Sequence, residues 1–232
     1  MGTYEQTLKT KKTVNYKVVV DKDQESRDIC FVIIDDVLMN IFAIAQYSET
    51  ITIPDGVRVI KSHAVMDMAD GWDPQGLSCG TLVIPASVET IEGGAFQFMA
   101  VDSISLDPEN RNFIMKNGSL YTWDEKTLVL ASFPEGGSHD ESLDCFYVAD
   151  GTTELADDAL DSIWIEKLMI PDSVVKFGNL AEAENFCNFG EGSDGIVCAS
   201  PHSPAAKYCK EKGIPFEEWD GSGKYEYSQD IT

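Results

Sequence analysis

"TLVIPASVETIEGGAFQFM", residues 81–99, decides the fold. Its apolar alternation, Leu82 and Ile84, stops at Pro85, and apolar or small residues then return at Val88, Ile91, Ala95 and Phe96. Counted from Ile84, these are offsets of +4, +7, +11 and +12, which is the period of neither a helix nor a strand. The phrase recurs. From Ile53 the same offsets reach Val57, Ile60, Ala64 and Val65, and from Val148 they reach Thr152, Leu155, Ala159 and Leu160. From Ile170 they reach Val174, Phe177 and Ala181 and then fail at Glu182. Inward residues at fixed offsets around corners are what a coil needs if each side chain is to stack on its equivalent in the next coil.

The strand-like pairs are Ile51/Ile53, Leu82/Ile84, Ile104/Leu106, Phe146/Val148, Leu168/Ile170 and Ile196/Cys198, each preceded three positions earlier by another apolar or small residue. Between second members the steps are 31, 22, 42, 22 and 28 residues. A period of about 22 with insertions accounts for them and falls in the leucine-rich-repeat range. The insertions lie near 66–80, from 111, and near 182–195, where Gly, Pro, Asn and Asp punctuate the chain. Pro54, Pro85 and Pro171 end the strand and start the corner, because proline has a fixed φ and no N–H to pair. Gly93 and Gly94 suit a tight or positive-φ corner ahead of inward Ala95 and Phe96.

An open stack exposes apolar ends, so its terminal units must differ. At the C-terminus, Ser203 as N-cap, Pro204 at N1 and Gly213 at C′ predict a helix over "PAAKYCKEK", whose Ala206, Tyr208 and Cys209, with Ile214, close the last coil. "VNYKVVV" and "ICFVII" predict capping strands at the other end. "KNGS", Lys116–Ser119, is a hairpin turn and "WDEKT" a second one, giving a meander beside the coil.

"TITIPDGVRVIKSHAV", "LVIPASVETIEGGAF" and "LMIPDSVVKF" resemble the BspA-like leucine-rich repeats of bacteria. "SISLDPENRNFIMKNGSLYTWDEKTLVLASFPEG" is similar to that family's hairpin-bearing unit, "FVIIDDVLMNIFAIAQYSETITIP" to its opening module and "IVCASPHSPAAKYCKEKGIPF" to its closing one. "FYVADGTTELADDAL" departs from the pattern, with Ala149 where proline is usual. The resemblance implies a β-rich, right-handed leucine-rich-repeat solenoid with short parallel strands, a β-hairpin insertion and terminal caps. The expected organisation is an N-terminal extension or cap strand over 1–27, the solenoid over 28–219 and an acidic tail over 220–232. Within the solenoid the hairpin insertion falls at about 111–135 and the cap at about 196–219. The resemblance also implies association with proteins or glycans at a bacterial cell surface.

Forty Asp and Glu against 17 Lys and Arg give a formal net charge of -23, which repels phosphate backbones and anionic lipid. Nucleic acid is therefore excluded as an expected partner. With 43% hydrophobic residues the chain is too apolar for an acidic disordered protein. The apolar run "ICFVIIDDVLMNIFAIA" is broken by Asp35, Asp36 and Asn40, so membrane insertion is not expected. The N-terminal lysines precede no apolar segment, so this chain shows no secretory signal and a cytoplasmic location stays open beside the surface one. The six cysteines lack CxxC spacing and read as reduced core residues.

The inventory for chemistry is thin. His63 sits on a corner beside inward Ala64, and His139, in "EGGSHDES", belongs to a polar loop whose Ser-His-Asp adjacency is no triad, since triad partners meet in space. Cys187, Cys198, His202 and Cys209 are zinc-type ligands without the close pairs of a structural site. Asp67, Asp70 and Asp73 lack the order of a calcium loop. No catalytic, metal or cofactor site is therefore expected. The expected function is non-catalytic binding or adhesion toward an unidentified protein or glycan, with a degenerate enzyme or metal-dependent structural scaffold as the alternative. The middle residue of each short strand points away from the core, which assigns the contact stripe to Thr52, Val83, Ser105, Tyr147, Met169 and Val197. Four of the six are apolar or aromatic, more than solubility requires.

Overall fold

A computed structural model describes residues 16–22, 28–43, 47–65, 77–97, 99–133, 142–182 and 195–221. The chain opens with β1 (Tyr16–Lys22), β2 (Asp28–Ile34) and β3 (Val37–Ala43), an antiparallel meander turning between β2 and β3 at Asp35 and Asp36, both with positive φ. Phe31, Leu38 and Ile41 drive it onto the core.

The units then begin. In β4 (Tyr47–Thr52), β6 (Leu77–Ile84) and β8 (Met99–Leu106), equivalent residues pair in parallel: Ile51 with Leu82 and Leu82 with Ile104. On a second side β5 (Val59–Ile60) pairs in parallel with β7 (Thr90–Ile91), placing Ile60 beside Ile91, and β5 also joins β3. Ile53, Val57, Ile60, Ala64, Ile84, Val88 and Ala95 are buried, as their offsets require. Cys79 and Val101, three residues before Leu82 and Ile104, are buried in the same core, so the in–out alternation reverses between them.

The corner after each strand is one local structure. Val57, Val88, Asn110, Thr152 and Val174 donate N–H to the carbonyls of Pro54, Pro85, Asp107, Ala149 and Pro171, three residues back. Proline presets this turn but is not needed for it. Asn110, at the rung of Val57 and Val88, has its Nδ2 on the carbonyls of Pro85 and Val88 in the preceding unit, and its Oδ1 accepts from Asn112 and Phe113 N–H. His63, Gly94 and Asp158 share offset +10 and positive φ. Gly94 has a second reason to be glycine, since a Cβ there would stand 2.8 Å from Asp158 Oδ2.

The insertion is β9 (Phe113–Lys116), β10 (Ser119–Thr122) and β11 (Thr127–Leu130), antiparallel and turning first at Asn117 and Gly118, both with positive φ. The expected place beside the coil is not where it lies. Leu120, Val129 and Leu130 pack in the first core, whereas Tyr121, Leu128, Ala131 and Phe133 pack in the second, so the meander separates two cores. Tyr121 explains Ala149: its buried hydroxyl accepts the Ala149 N–H at 3.2 Å, a donor proline lacks.

The second half repeats the first. β12 (Ser142–Tyr147), β14 (Trp164–Met169), β15 (Ile196–Ala199) and β16 (Phe216–Glu218) form a parallel sheet, and the short β13 (Glu154–Leu155) pairs in parallel with β11. The pattern lost at Glu182 ends in a 3-10 turn, Leu180–Glu182, with Leu180 buried. Helix α1 (Pro204–Lys212) has the expected ends: Ser203 Oγ accepts from Ala206 N–H at 3.1 Å, and Gly213 has φ 74 and donates to the Cys209 carbonyl. Ala205 and Cys209 are its buried residues, while the expected Ala206 and Tyr208 are half-buried.

Candidate functional site

The residues considered for chemistry are scattered. His63 and His202 are exposed, and His63 Nδ1 lies 2.7 Å from Gln97 Oε1 on the neighbouring corner. Cys79, Cys198 and Cys209 are buried and free. Burial pushes the Cys79 thiol up to about 12 and the Cys209 thiol up to about 11, far from nucleophile range. Among the described residues no group of three or more His, Cys, Asp or Glu could hold a metal ion. Asp67, Asp70, Asp73, His139 and Cys187 lie outside the described residues. No helix among them is long and apolar enough to cross a membrane.

The sheets instead present two outward faces. On the first, register lines up Thr50, Thr81 and Ser103 in one row and Thr52, Val83 and Ser105 in the next. Thr52 and Ser105 are exposed and Val83 half-exposed. Five of these six residues carry hydroxyls, and none carries a charge. The hydroxyls are partly organised: Ser103 Oγ donates to the Gly80 carbonyl at 2.9 Å, so Thr81 Oγ1, also 2.9 Å away, donates to Ser103 Oγ. The exposed Thr52 and Ser105 flank that pair.

On the second sheet the outward row is Tyr147, Met169 and Cys198, not Val197. Val197 pairs with inward Leu168 and is 0% exposed, so the stripe assignment slips by one residue there. Gly195 leads straight into "IVCA", four apolar residues without alternation, which leaves register to the neighbouring strand. Met169, 7% exposed, also departs from the expected open stripe, and Cys198, expected inward, takes the outward place beside it yet is 3% exposed. Both belong to the row that the chain end reaches across. The Trp219 N–H donates to the Ala199 carbonyl at 2.9 Å, and the Trp219 ring meets the half-buried Tyr147 ring edge-on with centroids 6.0 Å apart. Because Tyr147 stands on β12 and Trp219 follows β16, this contact spans β14 and β15. Glu217 adds an ion pair to Lys167 at 2.7 Å, which holds the Lys167 pKa up. Trp219, which had no local signal in the sequence, is the residue found beside this row.

No protein-family model matches the chain, and no curated protein matches it. Solved structures similar to it include the pneumococcal vaccine antigen PcpA, at 17% identity over 56% of this chain, with a TM-score of 0.42. A leucine-rich repeat protein from Eubacterium ventriosum is 12% identical over 65% of the chain, with a TM-score of 0.32. A leucine rich cell surface protein from Faecalibacterium prausnitzii is 19% identical over 83%, with a TM-score of 0.35. The chain spans 36%, 66% and 41% of those proteins, less than two thirds of each. At these scores the architecture is read from the strand register above.

Proposed function

We propose that the chain is a BspA-like leucine-rich-repeat solenoid, wound right-handed, and a non-catalytic module that binds protein or glycan at a bacterial surface. Parallel pairing of equivalent strands, with inner rows buried at Ile51, Leu82 and Leu168 and partly buried at Ile104, supports the solenoid reading. The observation that carries the binding role is the first sheet's outward face. In a chain of net charge -23, its two central rows are uncharged and hydroxyl-rich and include the exposed Thr52 and Ser105. Hydroxyls both donate and accept, so such a face suits sugar hydroxyls or peptide amides without a compensating charge.

The test is a pair of variants, Val83→Arg and Ser105→Arg, which place bulk and charge on the face and leave the inner rows untouched. Both are expected to keep the wild-type unfolding midpoint and to lose retention on glycan arrays and on immobilised surface-protein extracts. Undiminished retention by both variants would remove this face as the binding site.

A further inference from the structure

The turn between β13 and β14 carries two carboxyls into the interior, Asp158 at 8% and Asp161 at 2% exposure. Asp158 is tied to the next unit: its N–H donates to Asn179 Oδ1 at 2.7 Å, and Asn179 Nδ2 donates back to Asp158 Oδ1. Asp161 Oδ1 is buried without a hydrogen-bond partner. Both side chains border a cavity whose other walls include Leu155, Leu160, Phe177 and Leu180, so it lies at the junction of consecutive units. A buried carboxylate is costly unless paired or hydrogen-bonded. The lining residues, drawn from 155–161 on one side and 177–180 on the other, include no cation and no titratable group besides these two; Asp157, between them in the chain, is exposed and stands beside Gly93 instead. Behind Phe177, α1 presents the neutral Tyr208 ring, stacked at 4.5 Å, while Lys207, Lys210, Glu211 and Lys212 of that helix are exposed.

Adjacent carboxyls with no counter-cation stay buried when a proton remains on one of them. We propose that Asp161 is the proton-bearing member of a pH-sensitive latch: protonated, it lets the Phe177–Leu180 segment pack on the Leu155–Asp161 turn, and ionised, it loosens that junction. Burial first, and the Asp158 charge second, push the Asp161 carboxyl from an ordinary 3.8 up to about 7. Because the folded value lies above the unfolded one, the folded chain holds the extra proton between them. The stabilisation is complete below the unfolded value and is lost as pH rises through about 7.

Urea unfolding of the full chain between about pH 5.5 and pH 8.5, in EDTA and again in millimolar calcium, tests this in wild type and Asp161→Asn. In EDTA the wild-type unfolding constant is expected to rise from about pH 5.5 toward pH 7, by up to about tenfold per pH unit, and to level off above it. Asp161→Asn is expected to lack that rise and to exceed wild-type stability at the alkaline end. The two proteins differ only at residue 161, so the difference between them isolates Asp161. Equal pH slopes would overturn the latch. So would calcium rescue of wild type alone, which would make the pair a cation site. Should Asp161→Asn fail to fold, carboxyl-carbon NMR of the wild type decides: a titration near neutrality supports the latch, and one below about pH 5 overturns it.

Discussion

In the first sheet Leu82 points inward and Val83 outward, and the outward row continues through exposed Thr52 and Ser105; in the second, Leu168 points inward, yet its outward neighbour Met169 is buried almost as deeply. The inner rows are the same structure built twice. Each inward residue stacks on its equivalent one unit away, so the repeat itself dictates burial. The outer rows differ because no repeat governs them. The first is left with hydroxyls, and the second is crossed by a segment that arrives only after the final strand. Burial of an outward residue is therefore a property of the chain end, and a face cannot be taken as open because its strands are regular.

The inner equivalence predicts the largest effects. Leu82→Ala and Leu168→Ala each remove a fully buried side chain and are expected to cost about 2–5 kcal/mol by urea denaturation. A near-zero cost for either would break the equivalence. Trp219→Ala tests the outer difference and is expected to cost about 1–3 kcal/mol, since the ring is only partly buried. It should also speed thiol labelling of Cys198, read by mass spectrometry of the peptide, while leaving Cys79 protected; unchanged Cys198 labelling would show that something else covers the row. Ala149→Pro probes the seam between the halves. Proline fits the equivalent corner at Pro85 and Pro171, but here it removes the N–H that the buried Tyr121 hydroxyl accepts and leaves that hydroxyl with Thr152 alone, so a loss of about 0.5–1.5 kcal/mol is expected. A neutral or stabilising result would mean the Tyr121 bond contributes nothing. The smallest effect belongs to the open face, where Val83→Arg and Ser105→Arg should stay within about 0.5 kcal/mol of wild type.

The corners and caps were legible because they are local. An offset of +4 from Ile53, Ile84 or Ile170 finds Val57, Val88 or Val174, and a turn three residues long closes each one. Ser203, Pro204 and Gly213 similarly announce both ends of one helix. At Asn110 the same offset finds a polar residue, and only the structure shows its amide bonded to the preceding unit. The meander's turn at Asn117–Gly118 was readable, but its place was not. Adjacent apolar Leu120 and Tyr121 are the available hint, since a strand buried on both faces loses alternation.

By itself the sequence determined the inward residues of the units that repeat cleanly, where the corners fall and how the last helix is capped, because each depends on a few consecutive residues and on a repeat that restates them. Only the tertiary structure decided that the meander partitions the core, that Val197 rather than Cys198 turns inward, that Asp158 and Asp161 meet at a unit junction, and that Trp219 reaches Tyr147. Those outcomes join residues far apart in the chain or choose among registers that a run of apolar side chains leaves equal, and the packing of neighbours is what breaks the tie.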